Sequence, residues 1–119
     1  MSKIHDAVVE LRRAPGVRGA AVLTTDGLTA AASLDSSLSS DVLAGLASYL
    51  LMTTNRSLEE GGMGRCQQLT LHSTHGKAVF VDLADSFLVV LFDQFAEVAH
   101  AQRQVQDAAS RIRRASRLA

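Results

Sequence analysis

The sequence predicts an α+β domain, a five-stranded antiparallel sheet with helices on both faces, in the order α-β-β-α-β-β-β-α. Three observations carry that prediction. Runs with helical spacing and short strand-like runs follow one another in that order along the chain. Three strand-like runs lie consecutively between residues 67 and 92 with only tight turns between them, which demands antiparallel pairing, because parallel neighbours need a long crossover. With 119 residues the chain has the size of one domain, 1–119, and such a domain buries roughly two thirds of the surface its unfolded form exposes.

The elements follow in order. Ile4, Val8 and Leu11 recur at helical spacing behind the N-cap candidate Ser2, and Pro15-Gly16 stops the chain, so a first helix is expected over 3–13. Val17 to Leu23 is a short apolar run bounded by the hairpin dipeptide Asp26-Gly27, and Leu28 to Ser33 then pairs back. Ala30, Ala31 and Ala32 are poor strand formers, so that second strand rests on its place after the turn. Ser33 to Ser40 is a polar loop. Ser39-Ser40-Asp41 then caps a long helix over 41–60, ended by Gly61, Gly62 and Gly64. Gln67 to His72 alternates with period two, a strand with one polar face. After the turn at Ser73-Thr74-His75-Gly76, Ala78 to Leu83 and Phe87 to Phe92 are nearly continuous apolar runs joined by Ala84-Asp85, as in central strands covered on both faces. Phe95, Val98, Val105, Ala109 and Ile112, with Gln102 in one slot, mark a last helix to about Arg114.

Composition narrows the function. Twelve basic residues balance twelve acidic ones, which argues against generic nucleic-acid binding. The single Cys66 cannot close an internal disulfide, and a buried small hydrophobe is its ordinary role. Met1 to Arg13 holds no signal-peptide core, and the longest apolar run, Phe87 to Phe92, is far short of the roughly 18–20 residues of a membrane span. A soluble, cytoplasmic protein without membrane insertion is expected. The neutral sum hides a gradient. Residues 1–99 carry seven basic and eleven acidic groups, while residues 100–119 carry Arg103, Arg111, Arg113, Arg114 and Arg117 against Asp107. Arginines at a helix C-terminus either complement the helix dipole or dock on an acidic partner, and Arg111, Arg113 and Arg114 are the candidates for the second role.

The long helix has more apolar surface than one sheet can cover. Leu43, Leu46, Leu50, Thr54 and Leu58 form the expected core stripe, and beside it Val42, Gly45, Tyr49, Met52 and Arg56 form a second. Glycine inside a helix costs roughly 0.5–1 kcal/mol relative to alanine and marks close approach. The second stripe therefore points to a helix of another chain packing there, anchored by Tyr49 and Met52, the alternative being that these two cover the edge of their own sheet. The strand Gln67 to His72, with Gln68 and Thr70 on its polar face, is a candidate sheet edge open to pairing. A twofold pair joined at both places, a homodimer, is the prediction.

No constellation of residues warrants an enzyme, a metal or a cofactor. Gly76-Lys77 is followed by Ala78, and Leu71 stands where a phosphate loop needs its first glycine. Gly61-Gly62-Met63-Gly64-Arg65 follows a helix and enters a strand, the reverse of a phosphate loop, and reads as a helix cap and connector. His72 and His75 lack further ligands nearby. Cys66 and His72 would stand about 20 Å apart along a strand. Ser33 to Ser40 has no nucleophile elbow, and Asp82 and Asp85 suit turn chemistry.

The run Gly16-Val17-Arg18-Gly19-Ala20-Ala21-Val22-Leu23-Thr24-Thr25-Asp26-Gly27-Leu28, together with the late strand Phe87-Leu88-Val89-Val90-Leu91, resembles the roadblock/LC7 family, whose element order is the one derived above. The resemblance implies a profilin- or longin-like fold with one long helix on one sheet face and two on the other, and dimerisation through the long helix and the third strand. It also implies a non-catalytic platform: a scaffold or regulator of a Ras-like small GTPase, as in bacterial and archaeal members, or a dynein light chain. Such regulators order the switch elements of the GTPase without necessarily donating an arginine finger. Asn55 and Arg56, placed on the outer side of the long helix, are the candidates for that contact. The alternative is a structural or ligand-sensing scaffold of the same shape, with a pocket between sheet and helices and no GTPase regulation.

Overall fold

The computed structural model describes residues 2–118. Helix α1 spans Lys3–Leu11, strand β1 Val17–Thr24, β2 Thr29–Leu34, helix α2 Ser40–Glu60, β3 Gln68–Ser73, β4 Gly76–Asp82 and β5 Ser86–Phe92. A 3-10 turn, Val98–Ala101, leads into helix α3, Gln102–Leu118. The strands form one sheet in the order β2-β1-β5-β4-β3, with every neighbouring pair antiparallel.

Alternation along the strands builds two cores. Ala20 and Val22 of β1, Val79 and Val81 of β4, and Leu88, Val90 and Phe92 of β5 meet Ala7, Val8 and Leu11 of α1 and Val105, Ala109 and Ile112 of α3. Their sequence neighbours Ala21, Leu23, Phe80, Phe87 and Val89 point the other way and meet Ala44 and Ala47 of α2. One long helix thus lies on one face and two on the other, as the resemblance implies. β5 is the central strand, flanked by β1 and β4. β1 and β4 are each paired on both sides and lie one place from an edge, and both bury residues on the two faces of the sheet.

Several boundaries differ from the sequence expectation: β4 begins at Gly76, inside the expected turn, α3 runs on to Leu118 past the expected end near Arg114, and three further differences have visible local causes. α1 stops at Leu11, where the N–H groups of Arg13 and Ala14 bond back three residues to Glu10 and Leu11 and wind the chain into a turn before Pro15. The β1–β2 hairpin uses a wider loop than a two-residue turn: Gly27 has φ +90° and donates its N–H to Thr24 O, and Thr24 pairs with Leu28. Phe95 is outside any helix and 83% exposed. The side chain of Asp93 accepts the Phe95 N–H at 2.7 Å and its carbonyl takes the Ala96 N–H, so a local turn holds residues 93–96 and the helix begins later.

Candidate functional site

α2 starts where Ser39 Oγ accepts the Val42 N–H at 3.4 Å, with Asp41 in the positive first turn. It ends in a Schellman motif, with the Met63 N–H on Leu58 O at 2.8 Å, the Gly62 N–H on Glu59 O, and Gly62 in the left-handed region. The glycine-rich segment is therefore a helix cap and connector.

The inner face of α2 is carried by small residues. Ala44 and Ala47 are buried, while Leu43, Leu50 and Leu51 pack at the flanks. Phe80 and Phe87 rise from the sheet beneath, so alanine fits over them and the larger leucines are pushed aside. Leu46, expected in the core stripe, is instead 67% exposed. The outer stripe of α2 consequently contains Val42, Gly45, Leu46, Tyr49, Met52 and Arg56, and its four large apolar members are each more than half exposed. A β-carbon placed on Gly45 would meet nothing within 4 Å, so no neighbour in its own chain requires glycine there.

β3 pairs only with β4 and forms one edge of the sheet. Gln68 and Thr70 are exposed on it, on the α3 side, where Gln106 Nε2 donates to Gln68 Oε1 at 3.1 Å. Leu69 and Leu71 point to the α2 side: Leu69 is half-buried against the α2 core and Leu71 is partly exposed. Leu71 and Leu46 are apolar members of this surface that sequence reasoning missed. Strand alternation would have found Leu71; nothing in helical spacing alone separates Leu46 from the core.

The remaining candidates fall in different places. Arg56 is exposed and joins no ion pair or side-chain hydrogen bond among the described residues. Asn55 does not lie on the outer side of α2; its Oδ1 accepts the Cys66 N–H at 2.7 Å. Arg111 pairs with Glu10 and so clamps α3 to α1, while Arg113 Nη2 donates to Asp82 O at 2.8 Å. Arg114 is exposed, and the side chain of Arg117 lies outside the described residues. Cys66 is buried, and burial first, then the Asp82 carboxylate, pushes its thiol above the ordinary thiol range. Among the described residues no three His, Cys, Asp or Glu side chains gather where they could hold a metal ion, and no helix is long and apolar enough to cross a membrane.

Residues 3–92 match the model of the Roadblock/LC7 domain. Two uncharacterized proteins of Methanocaldococcus jannaschii are each 30% identical over 110 residues, covering 92% of this chain and 96% of the relative. Among solved structures, MglB of Myxococcus xanthus superposes with a TM-score of 0.92 at 12% identity, covering 100% of this chain and 98% of that one. The gliding protein MglB of Thermus thermophilus superposes with 0.87 at 19% identity, covering 98% and 90%. A Roadblock/LC7 domain of Streptomyces avermitilis gives 0.79 at 22% identity, covering 95% and 94%.

Proposed function

The chain belongs to the Roadblock/LC7 domain family, and from that membership we propose that it is a non-catalytic, cytoplasmic homodimer, one such unit over residues 1–119, that binds and regulates a Ras-like small GTPase. The observation that carries the proposal is the outer stripe of α2. Val42, Leu46, Tyr49 and Met52 lie largely in water around a glycine that nothing in the chain needs. A contiguous apolar surface of this kind marks an interaction site, and the glycine marks a place where another backbone comes close. In the proposed dimer α2 packs on its twofold mate through Val42, Gly45, Tyr49 and Met52, and the β3 edge, with Gln68 and Thr70, pairs with the second β3.

Partner contact is assigned to Asn55, Arg56, Arg111, Arg113 and Arg114. Arg56 and Arg114 present exposed guanidinium groups, whereas Arg111 and Arg113 also hold α3 in place. The mechanism is positional: a rigid dimer face orders the mobile switch segments of a GTPase and so changes hydrolysis or location without donating a catalytic group. The test is capture of a small GTPase loaded with GTP or GDP, followed by measured phosphate release. Capture with faster release makes the chain an activator, and capture without a rate change makes it a scaffold. No capture in either nucleotide state removes the GTPase from the proposal and leaves the structural or ligand-sensing alternative.

A further inference from the structure

A groove of about 400 Å³ opens between the C-terminal half of α2, the α2–β3 connector and the β4–β5 hairpin. Its apolar lining is Leu51, Met52, Phe80, Phe87 and Cys66, and the short side chains of Thr25 and Ser48 line it as well. The walls are bonded to one another. Asn55 of α2 holds the Cys66 N–H, and Arg65 of the connector pairs with Asp82 at 2.9 Å and donates to Ala84 O at 3.0 Å across the hairpin. The cavity is thus preformed, and its volume falls within the roughly 300–1,000 Å³ of small-molecule sites.

The rim decides the chemistry. Asn55 has its oxygen committed to Cys66, so its amide nitrogen carries two donors that no described group of the chain accepts. Arg56 adds a further donor and Glu59 an acceptor, and their opposite charges offset each other. We propose that this groove binds a small, uncharged, planar heteroaromatic molecule with an amide-type edge, its ring seated on Phe80 and Phe87, its carbonyl facing Asn55 and Arg56, and its N–H facing Glu59. An anion gains nothing from a rim of zero net charge, and a plain hydrocarbon leaves the Asn55 donors unpaired. The groove is lined by one chain and borders the proposed contacts: Met52 on its lining belongs to the outer stripe of α2, and Asn55 and Arg56 to the proposed partner contact.

The test is a titration of the full-length ¹⁵N-labelled protein with quinazoline-2,4-dione, read by amide chemical shifts. Saturable shifts are expected at the Ser48 and Cys66 amides and the Asn55 side-chain amide. They are expected to disappear in Thr25→Trp and in Glu59→Trp, two exposed positions of the lining, with the rest of each spectrum showing the native fold. Naphthalene binding as well as the dione, or 2-naphthoate binding better, overturns the assignment of an uncharged amide edge. Shifts confined to Val42, Leu46 and Tyr49, or a complete lack of saturable shifts, overturn the site itself.

Discussion

The side-chain oxygen of Asn55 accepts the backbone N–H of Cys66 at 2.7 Å, and this one bond ties α2 to the chain that enters β3. Cys66 is buried, so removing the acceptor strands a donor away from water. Asn55→Ala is expected to cost about 1–2 kcal/mol in urea unfolding, and Asn55→Asp, which keeps an acceptor, much less. Equal losses for the two variants would show that the bond is not the source.

Gly16 sits where the chain turns from α1 into β1, with φ +77°, and a β-carbon there would run into the β-carbon of Ala96. Two penalties are therefore expected for Gly16→Ala, a left-handed alanine and a clash, together about 2 kcal/mol or more. Ala96→Gly in the same chain removes the clash and leaves the backbone strain, so the double variant should recover part of the stability and not all. Full recovery would mean that the backbone conformation is not strained.

Ala84 presents the converse case. It adopts φ +76° at the exposed tip of the β4–β5 hairpin, held there by its N–H on Asp82 Oδ1 and its carbonyl on Arg65. Glycine relieves the strain at some expense in unfolded-state entropy, so Ala84→Gly is expected to raise stability by roughly 0.5–1 kcal/mol. A lower melting temperature for this variant would contradict that account.

The order of elements was legible because periodicity reports burial directly: Val17 to Leu23 and Phe87 to Phe92 lie where both sheet faces are covered, and they read as continuous apolar runs. The misreadings have physical causes. Phe95 fits a helical spacing, but the side chain of Asp93 offers the backbone a competing turn. Leu46 fits the core stripe of α2, but spacing cannot reveal that Phe80 and Phe87 occupy the space beneath the helix. For the same reason Asn55 read as an outward polar residue, since its partner is a backbone group eleven residues away. The exposed stripe of Val42, Gly45, Tyr49 and Met52 was legible because only an excess of apolar surface was needed to find it.

The Cys66 thiol is held above its ordinary range mainly by burial. Folding therefore keeps it protonated while an unfolded chain ionises it, so stability is constant below the usual thiol pKa and declines as pH rises from there toward the folded value. Cys66→Ala should flatten that alkaline decline. Iodoacetamide should modify native Cys66 more slowly than the urea-unfolded chain at pH 8, and equal rates would show that the thiol is neither buried nor shifted.

The outer stripe of α2 separates assembly from folding. Leu46 and Tyr49 are each about two thirds exposed in the isolated chain, so Leu46→Asp and Tyr49→Asp leave the monomer fold nearly untouched and place a charge where the proposed twofold contact is apolar. Both variants are expected to give monomer mass by light scattering at tens of micromolar, with unchanged far-UV circular dichroism. Ala47→Asp, one residue away but buried over the sheet, should instead unfold the chain. Gly45→Ala divides the two effects further. In the monomeric Tyr49→Asp background it should add roughly 0.5–1 kcal/mol of helix stability, because its β-carbon meets nothing within the chain. In the otherwise unchanged protein the same methyl group should weaken self-association, because the partner helix needs that space. Wild-type protein of monomer mass would overturn the homodimer, and self-association unaffected by Gly45→Ala would move the interface off this face of α2.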